Sequence, residues 1–260
     1  MMEEGAAPEG APCAVAVMAK APRPGQVKTR LVPTLTPEAA GLLSRGFLRD
    51  ITENIRLAAR TTPLAGYIAY APAGFETLFD GLLAPGTALV LADGAGAMPP
   101  RVQGFGRALL HAARALFARG HPAVALLNSD SPTLPTALLS KLGAALSAPG
   151  DRVVLGPAED GGYYVLGMKA PHVHLFEDIA WSTDRVAEET RRRAQALRLE
   201  VVELATWYDV DDGPSLRRLL REVSSPPLKG ALLPYAAPAT AACLARLHLD
   251  ELRPIAAARR

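Results

Sequence analysis

Short apolar runs alternate with amphipathic stretches along most of this chain. Residues 14–19 (AVAVMA) are continuously apolar and end at Lys20, a length that suits a strand buried on both faces. A polar loop rich in Pro and Gly follows. Thr36-Pro37-Glu38 then combines an N-cap residue, a proline at the first helical position and early negative charge, and predicts a helix running to residue 60. The pattern repeats, with strands predicted at 64–70, 87–91, 123–128, 152–155, 163–168 and 201–204. Helical periodicity falls at 106–119, 135–146 and 184–199, and again in the SLRRLL segment after Pro214. Such alternation argues for an α/β fold, a mostly parallel sheet with helices on both faces. Ligands of such sheets bind at the carboxyl ends of the strands, so the residues just after each strand carry the functional question.

Length and charge narrow the class. At 260 residues and 49% hydrophobic content, the chain has the size and the core material of one large α/β domain. A net charge of +2 without a concentrated basic surface argues against a nucleic-acid partner, so any phosphate recognition has to be local. Residues 1–12 are acidic and rich in Ala, Gly and Pro; they lack the basic region and apolar run of a signal peptide and read as a disordered tail. No run approaches the ~20 apolar residues of a membrane span. The expected location is cytoplasmic, and Cys13 and Cys243 read as reduced thiols. The expected domain is 13–224. Residues 225–260, with Pro226-Pro227 and Ala- and Leu-rich sequence, read either as an appended helix that packs on the domain or mediates a homodimer, or as a tail.

The loop after the first strand is chemically the richest segment. Lys20-Ala-Pro-Arg23-Pro-Gly25-Gln-Val-Lys28-Thr-Arg30 places four cations within eleven residues. Backbone N–H groups near Gly25 and the side-chain charges can wrap phosphates, and the two prolines stiffen the loop before ligand arrives. Taken alone, it also reads as a solvated basic loop. It is not a Walker loop, since the Gly-Lys-Ser/Thr ending is missing.

Carboxylates follow later strands. Asn128-Ser129-Asp130-Ser131-Pro132 sets Asp130 at a strand end, where it can ligate Mg²⁺ or Mn²⁺ or merely form an Asx turn before the next helix. Asp209-Val210-Asp211-Asp212-Gly213 stands before the SLRRLL helix; Asp211 can complete a metal site while Asp212 caps the helix. Between them, Glu159-Asp160-Gly161-Gly162-Tyr163 offers acceptors for sugar hydroxyls, a base for an acceptor, and glycines that permit close approach, or else a tight turn between strands. Trp181-Ser182-Thr183-Asp184 reads as an N-cap, with Trp181 in the core or on a pocket wall. Other chemistries fare worse: His172 and His174 have no further ligand at metal spacing, Ser129 and Ser131 lack a nucleophile elbow, and no G-x-G-x-x-G follows the first strand.

In order along the chain, MAKAPRPGQVKTRL, NSDSPTLP, LGPAEDGGYYVLGM, WST and DVDD form a series that resembles the bacterial glycosyltransferase-like family named for arsenosugar biosynthesis or as radical-SAM/selenodomain-associated transferases. That family lies within the nucleotide-diphospho-sugar transferase (GT-A) superfamily and is similar to phospholactate guanylyltransferases and molybdenum-cofactor nucleotidyltransferases. The resemblance spans roughly residues 14–220. It implies a GT-A-like sheet, with Lys20, Arg23, Gly25, Lys28, Arg30 and Gln103 at nucleotide-binding positions and Asp130 and Asp211 holding Mg²⁺ or Mn²⁺. Glu159, Asp160, Gly161, Gly162, Tyr163, Trp181, Ser182 and Thr183 then face the acceptor or sugar, and Lys28, Asp130 and Asp160 are the expected catalytic groups. Three departures bear on nucleotide and acceptor choice. Gln103-Gly104-Phe105-Gly106-Arg107 is shortened and lacks the family's aspartate, Asn128 stands for a usual glycine, and Asp212 for a usual threonine.

The reading that unites these features is metal-dependent transfer from a nucleotide to a small-molecule acceptor. Glycosyl transfer from a nucleotide sugar stands first, nucleotidyl transfer from a nucleoside triphosphate to a phosphorylated or phosphonate acceptor second, and a non-catalytic nucleotide-binding protein third.

Overall fold

A computed structural model describes residues 11–32, 34–224 and 232–247. Among these residues seven strands form one sheet in the order β3-β2-β1-β4-β6-β5-β7. The strands are β1 (Cys13–Lys20), β2 (Leu64–Ala71), β3 (Ala88–Leu91), β4 (Val124–Leu127), β5 (Arg152–Pro157), β6 (Tyr163–Met168) and β7 (Glu200–Glu203). β1 pairs in parallel with β2 and β4, β2 with β3, and β5 with β7; β6 alone runs antiparallel, between β4 and β5. The mostly parallel α/β architecture expected from the alternation is therefore present. The apolar run of β1 divides by period two: Val15 and Val17 enter one core, Ala14 and Ala16 the other.

Among the described residues six α-helices cover the sheet: α1 (Pro37–Ala58), α2 (Phe105–Phe117), α3 (Thr136–Ser147), α4 (Val186–Ala196), α5 (Gly213–Ser224) and α6 (Pro238–Arg246). One core is closed by α1, α3, α5 and α6, the other by α2 and α4. α1 begins as its sequence predicts, with the Thr36 hydroxyl accepting from the Ala39 amide at 3.1 Å. None of the described helices is long and apolar enough to cross a membrane.

β1 and β4 are adjacent and parallel, yet the chain goes from β1 to β2 on one side and from β4 to β5, beyond β6, on the other. This is where a crevice opens beyond the strand ends, and the loops after β1 and β4 border it. Because β6 runs back from the β5–β6 turn, residues 158–162 lie at the same edge.

α6 lies in the stretch after residue 224 and packs on α1. Its N-terminus has no side-chain cap of its own. The buried Asp50 of α1 serves instead, accepting from the Ala239 amide at 3.0 Å and the Thr240 amide at 2.6 Å. Burial pushes the Asp50 carboxyl up, while these amides pull it down. A methyl at Gly46 would lie only 3.3 Å from the Thr240 Cα, so the two helices meet backbone to backbone. Asp50→Ala leaves one buried and one half-buried amide without their carboxylate and is expected to cost about 2 kcal/mol. Equilibrium denaturation measures that loss; stability equal to wild type would show that α6 docks without the cap.

Candidate functional site

The β1 loop begins with Ala21, whose amide is tied to the Ala71 carbonyl at 2.9 Å, and turns at Gly25, where φ is +72°. It delivers Lys28 in a left-handed backbone conformation (φ 48°, ψ 37°), which costs a lysine about 1 kcal/mol relative to a right-handed one. The contacts of the side chain offset that cost. The Lys28 ammonium is 2.7 Å from Asp130 Oδ1, 3.4 Å from Asp211 Oδ1, and donates to the Val210 carbonyl at 2.6 Å; only 6% of the side chain is exposed. Arg30, largely solvated, stands 3.6 Å from Asp211 Oδ2. Three segments separated by about a hundred residues at each step thus converge on one nitrogen.

The carboxylates of the acidic segments divide between capping a helix and facing the crevice. Asp130 is not a helix cap: Ser129 donates to its Oδ1 at 3.0 Å, and its remaining partner is Lys28. Asp212 caps α5, accepting from the Ser215 amide at 2.9 Å and the Ser215 hydroxyl at 2.6 Å, and these bonds hold its carboxyl below the usual range. The Ser215 hydroxyl also accepts from the Asp211 amide at 3.1 Å, which leaves the Asp211 carboxylate to face the crevice. Burial pushes Asp211 up against the pull of Lys28. Asp209 is pushed up to about 6, first by burial and then by the charges of Asp160, Asp211 and Asp130, a measure of how much negative charge gathers here.

These groups line a cavity of about 590 Å³. Lys20, Lys28, Arg30, Asp130, Asp160, Gly162, Tyr163, Trp181, Ser182, Thr183 and Asp211 all border it, so most residues expected from the sequence share one space. Asp160 accepts from the Gly162 amide at 2.8 Å, which fixes its carboxylate at the β5–β6 turn. Burial raises the Tyr163 phenol, whose hydroxyl has no partner among the described residues.

Five expected residues lie elsewhere. The Arg23 guanidinium stacks 4.0 Å above the Phe75 ring, away from the cavity, because the turn at Gly25 directs it toward the segment after β2. Gly25 shapes that turn without bordering the cavity. Gln103 is exposed and donates weakly to the Pro100 carbonyl at 3.4 Å. Glu159 is drawn out by Arg218 of α5, at 2.8 Å. Gly161 sits behind the wall, where its φ of +88° admits the Asp184 backbone and its carbonyl accepts from the Ala187 amide at 3.0 Å.

Phe105 is the contributor that the sequence reading passed over. It opens α2, is 50% exposed, borders the cavity and stands edge-on to Trp181 with ring centroids 5.8 Å apart. The signal was the Gly104-Phe105-Gly106 triplet: a methyl at Gly106 would come within 3.0 Å of the Trp181 ring, and one at Gly104 within 3.3 Å. The two glycines make the notch in which the indole lies.

Among the described residues no group of three or more His, Cys, Asp and Glu side chains is arranged to hold a metal unaided. Asp130 and Asp211 can supply two hard oxygens, an arrangement typical of ions that draw their other ligands from phosphate and water.

The same architecture occurs in the crystal structure of a protein from Desulfovibrio desulfuricans G20 described as a candidate nucleotide-diphospho-sugar transferase. It is 27% identical, covers 93% of this chain and 96% of that one, and gives a TM-score of 0.73. Two further structures resemble it more distantly. CMP:2-keto-3-deoxy-manno-octonic acid synthetase complexed with CTP is 11% identical, with coverage of 80% and 97% and a TM-score of 0.48. The 4-diphosphocytidyl-2C-methyl-D-erythritol synthase of Anaerococcus prevotii DSM 20548 is 9% identical, with coverage of 82% and 97% and a TM-score of 0.49. No curated protein sequence matches. The fold is that of the nucleotide-diphospho-sugar transferases. A bacterial family profile described as "Uncharacterized protein conserved in bacteria (DUF2064)" matches residues 54–183, half of the chain, and the chain belongs to that family.

Proposed function

We propose that the protein is a metal-dependent transferase that takes a nucleotide sugar and passes the sugar to a small-molecule acceptor. The observation that carries this reading is the meeting of Lys28 with Asp130 at 2.7 Å and Asp211 at 3.4 Å, inside a cavity that also holds Lys20 and Arg30. Cations for a diphosphate and carboxylates for its counter-ion stand together at the strand ends, where the fold places ligands. The likeness to the D. desulfuricans protein supports the donor class.

The two carboxylates fit Mg²⁺ or Mn²⁺ as hard oxygen ligands. Bound there, the ion would neutralise charge on the departing diphosphate. Lys28 turns its ammonium from the carboxylates to the phosphate oxygens, and Lys20 and Arg30 balance the charge that remains. Asp160, anchored by the Gly162 amide, orients the acceptor hydroxyl and takes its proton as the bond from the sugar carbon to phosphate breaks and the bond to the acceptor oxygen forms.

A second reading is favoured by the three cations of the β1 loop that border the cavity, a density that suits a triphosphate. In it the acceptor attacks the α-phosphate and pyrophosphate leaves. Incubation with Mn²⁺ and either nucleotide sugars or nucleoside triphosphates distinguishes the two by release of nucleoside diphosphate or of pyrophosphate. Asp130→Asn keeps the shape and removes the charge, and is expected to lower turnover about 100-fold and metal-dependent nucleotide affinity at least about tenfold. Calorimetry and turnover at saturating Mn²⁺ measure both, and a variant that works like wild type would remove Asp130 from the site. Nucleotide binding without turnover on any acceptor would leave a non-catalytic nucleotide-binding protein as the reading.

A further inference from the structure

The charges of the cavity are segregated. Its cations, Lys20, Lys28 and Arg30, all come from the β1 loop, and the reading above commits them to the donor's phosphates. Away from that loop the charged side chains on the wall are acidic: Asp130 and Asp211, which the reading above gives to the metal, and, beyond them, Asp160 at the β5–β6 turn and Asp184 after Trp181. Neither Arg218 nor Arg185 lines the cavity; Arg218 pairs with Glu159 at 2.8 Å and Arg185 stands 3.9 Å from Glu189. Among the described residues lining this end, an anionic acceptor would meet carboxylates and no cation, a repulsive arrangement in a half-enclosed space.

The same end carries an aromatic shelf. Phe105 is one of four strongly exposed large apolar residues among the described ones, and of those four it alone borders the cavity. Its partner Trp181 is wedged against Gly104 and Gly106, and the Trp181 amide donates to the Ile179 carbonyl at 3.0 Å, so the shelf is held in place before any ligand arrives. Beside it stand the exposed Ser182 and Thr183, and the carboxylates of Asp160 and Asp184. An apolar ring surface bordered by hydroxyls and carboxylates matches a ring with one face of C–H groups and hydroxyls around its edge.

We propose that the acceptor is an uncharged, polyhydroxylated ring of the sugar type, seated on Phe105 and Trp181 with its hydroxyls toward Asp160 and the 182–184 segment. The proposal rests on the transferase reading and sharpens it, since it disfavours the phosphorylated and phosphonate acceptors that the family resemblance also allows.

The test uses the full-length protein saturated with Mn²⁺ and a nucleoside diphosphate, titrated with a panel of methyl glycosides and with the phosphate monoesters of the same glycosides. Binding is followed by saturation-transfer NMR and calorimetry. The neutral glycosides are expected to bind at least about tenfold more tightly than their phosphate esters, and Phe105→Ala is expected to weaken them about tenfold. Phe105→Trp is expected to restore binding, which a merely structural role for this exposed ring would not explain. Phosphate esters binding as well as the neutral compounds, or no glycoside binding at all, would overturn the proposal. So would Phe105→Ala weakening the nucleoside diphosphate as much as the glycoside, for the ring would then belong to the base. Failure of the nucleoside diphosphate to bind with Mn²⁺ would instead strike at the transferase reading, and is seen before any glycoside is added.

Discussion

Lys28→Met is expected to lower turnover by about 10²–10³, the loss that follows removal of one preorganised charge contact in a partly dry site. Methionine keeps most of the stem and the packing near Phe47, whose ring centre lies 5.0 Å from the ammonium, so the change is chiefly one of charge. Two effects follow from the geometry. The phosphates of the proposed donor lose the most buried of the cavity's cations, and Asp130 and Asp211 lose the ammonium that lies between them. Nucleotide affinity should therefore fall together with turnover. Binding of Mn²⁺ alone should rise, because the ion no longer competes with a lysine for the same two carboxylates. Lys28→Arg keeps the charge and should recover only part of the activity, since a side chain 6% exposed leaves little room for a planar guanidinium. Steady-state kinetics and metal titration without nucleotide check both directions. Turnover within threefold of wild type, or unchanged Mn²⁺ binding, would show that Lys28 only ties two loops together.

The layered fold was legible because its signals are local. The period-two and period-3.6 patterns, and the Thr36-Pro37 helix start, report on neighbouring residues, and each element arises near where its pattern lies. Much of the cavity wall was legible too, since a parallel sheet sends its strand ends to one edge and the motifs follow strands. What the chain could not reveal is where the side chains of a shared segment point. Arg23 and Lys28 are five positions apart in one basic loop, yet the turn at Gly25 sends the first to Phe75 and the second to Asp130. Glu159 and Asp160 are adjacent, yet Arg218, on a helix far along the chain, draws the former out of the site. Phe105 was hidden for a related reason: in the sequence it is one apolar residue just before a predicted helix, and only the meeting of its flanking glycines with Trp181 fixes it at the cavity. The Asp50 cap of α6 joins residues 189 and 190 positions apart, beyond any local signal.

Gly161→Ala is expected to produce the largest structural effect of a single methyl in the site. Two independent penalties add at this position. With φ at +88° the backbone lies where L side chains are strained, at a cost of about 1–3 kcal/mol. A methyl would also overlap the backbone of Asp184, and backbone, unlike a side-chain tip, cannot rotate aside. The segment that has to yield carries Trp181, Ser182 and Thr183, and it is fastened to the turn by the Ala187 amide on the Gly161 carbonyl at 3.0 Å. A loss of about 3 kcal/mol in unfolding free energy is therefore expected, read by chemical denaturation. Because the displaced segment forms the proposed acceptor end, acceptor KM should rise more than nucleotide affinity falls, the β1 loop being anchored separately by Ala21 on Ala71. Gly162→Ala provides the comparison: a methyl there meets chiefly the Asp160 carboxylate, at 3.0 Å, a flexible group that can shift. It should disturb Asp160 chemistry while costing much less stability. Equal destabilisation by the two alanines would mean that the Asp184 segment moves freely, and that the turn at Gly161 does not hold the acceptor wall in place.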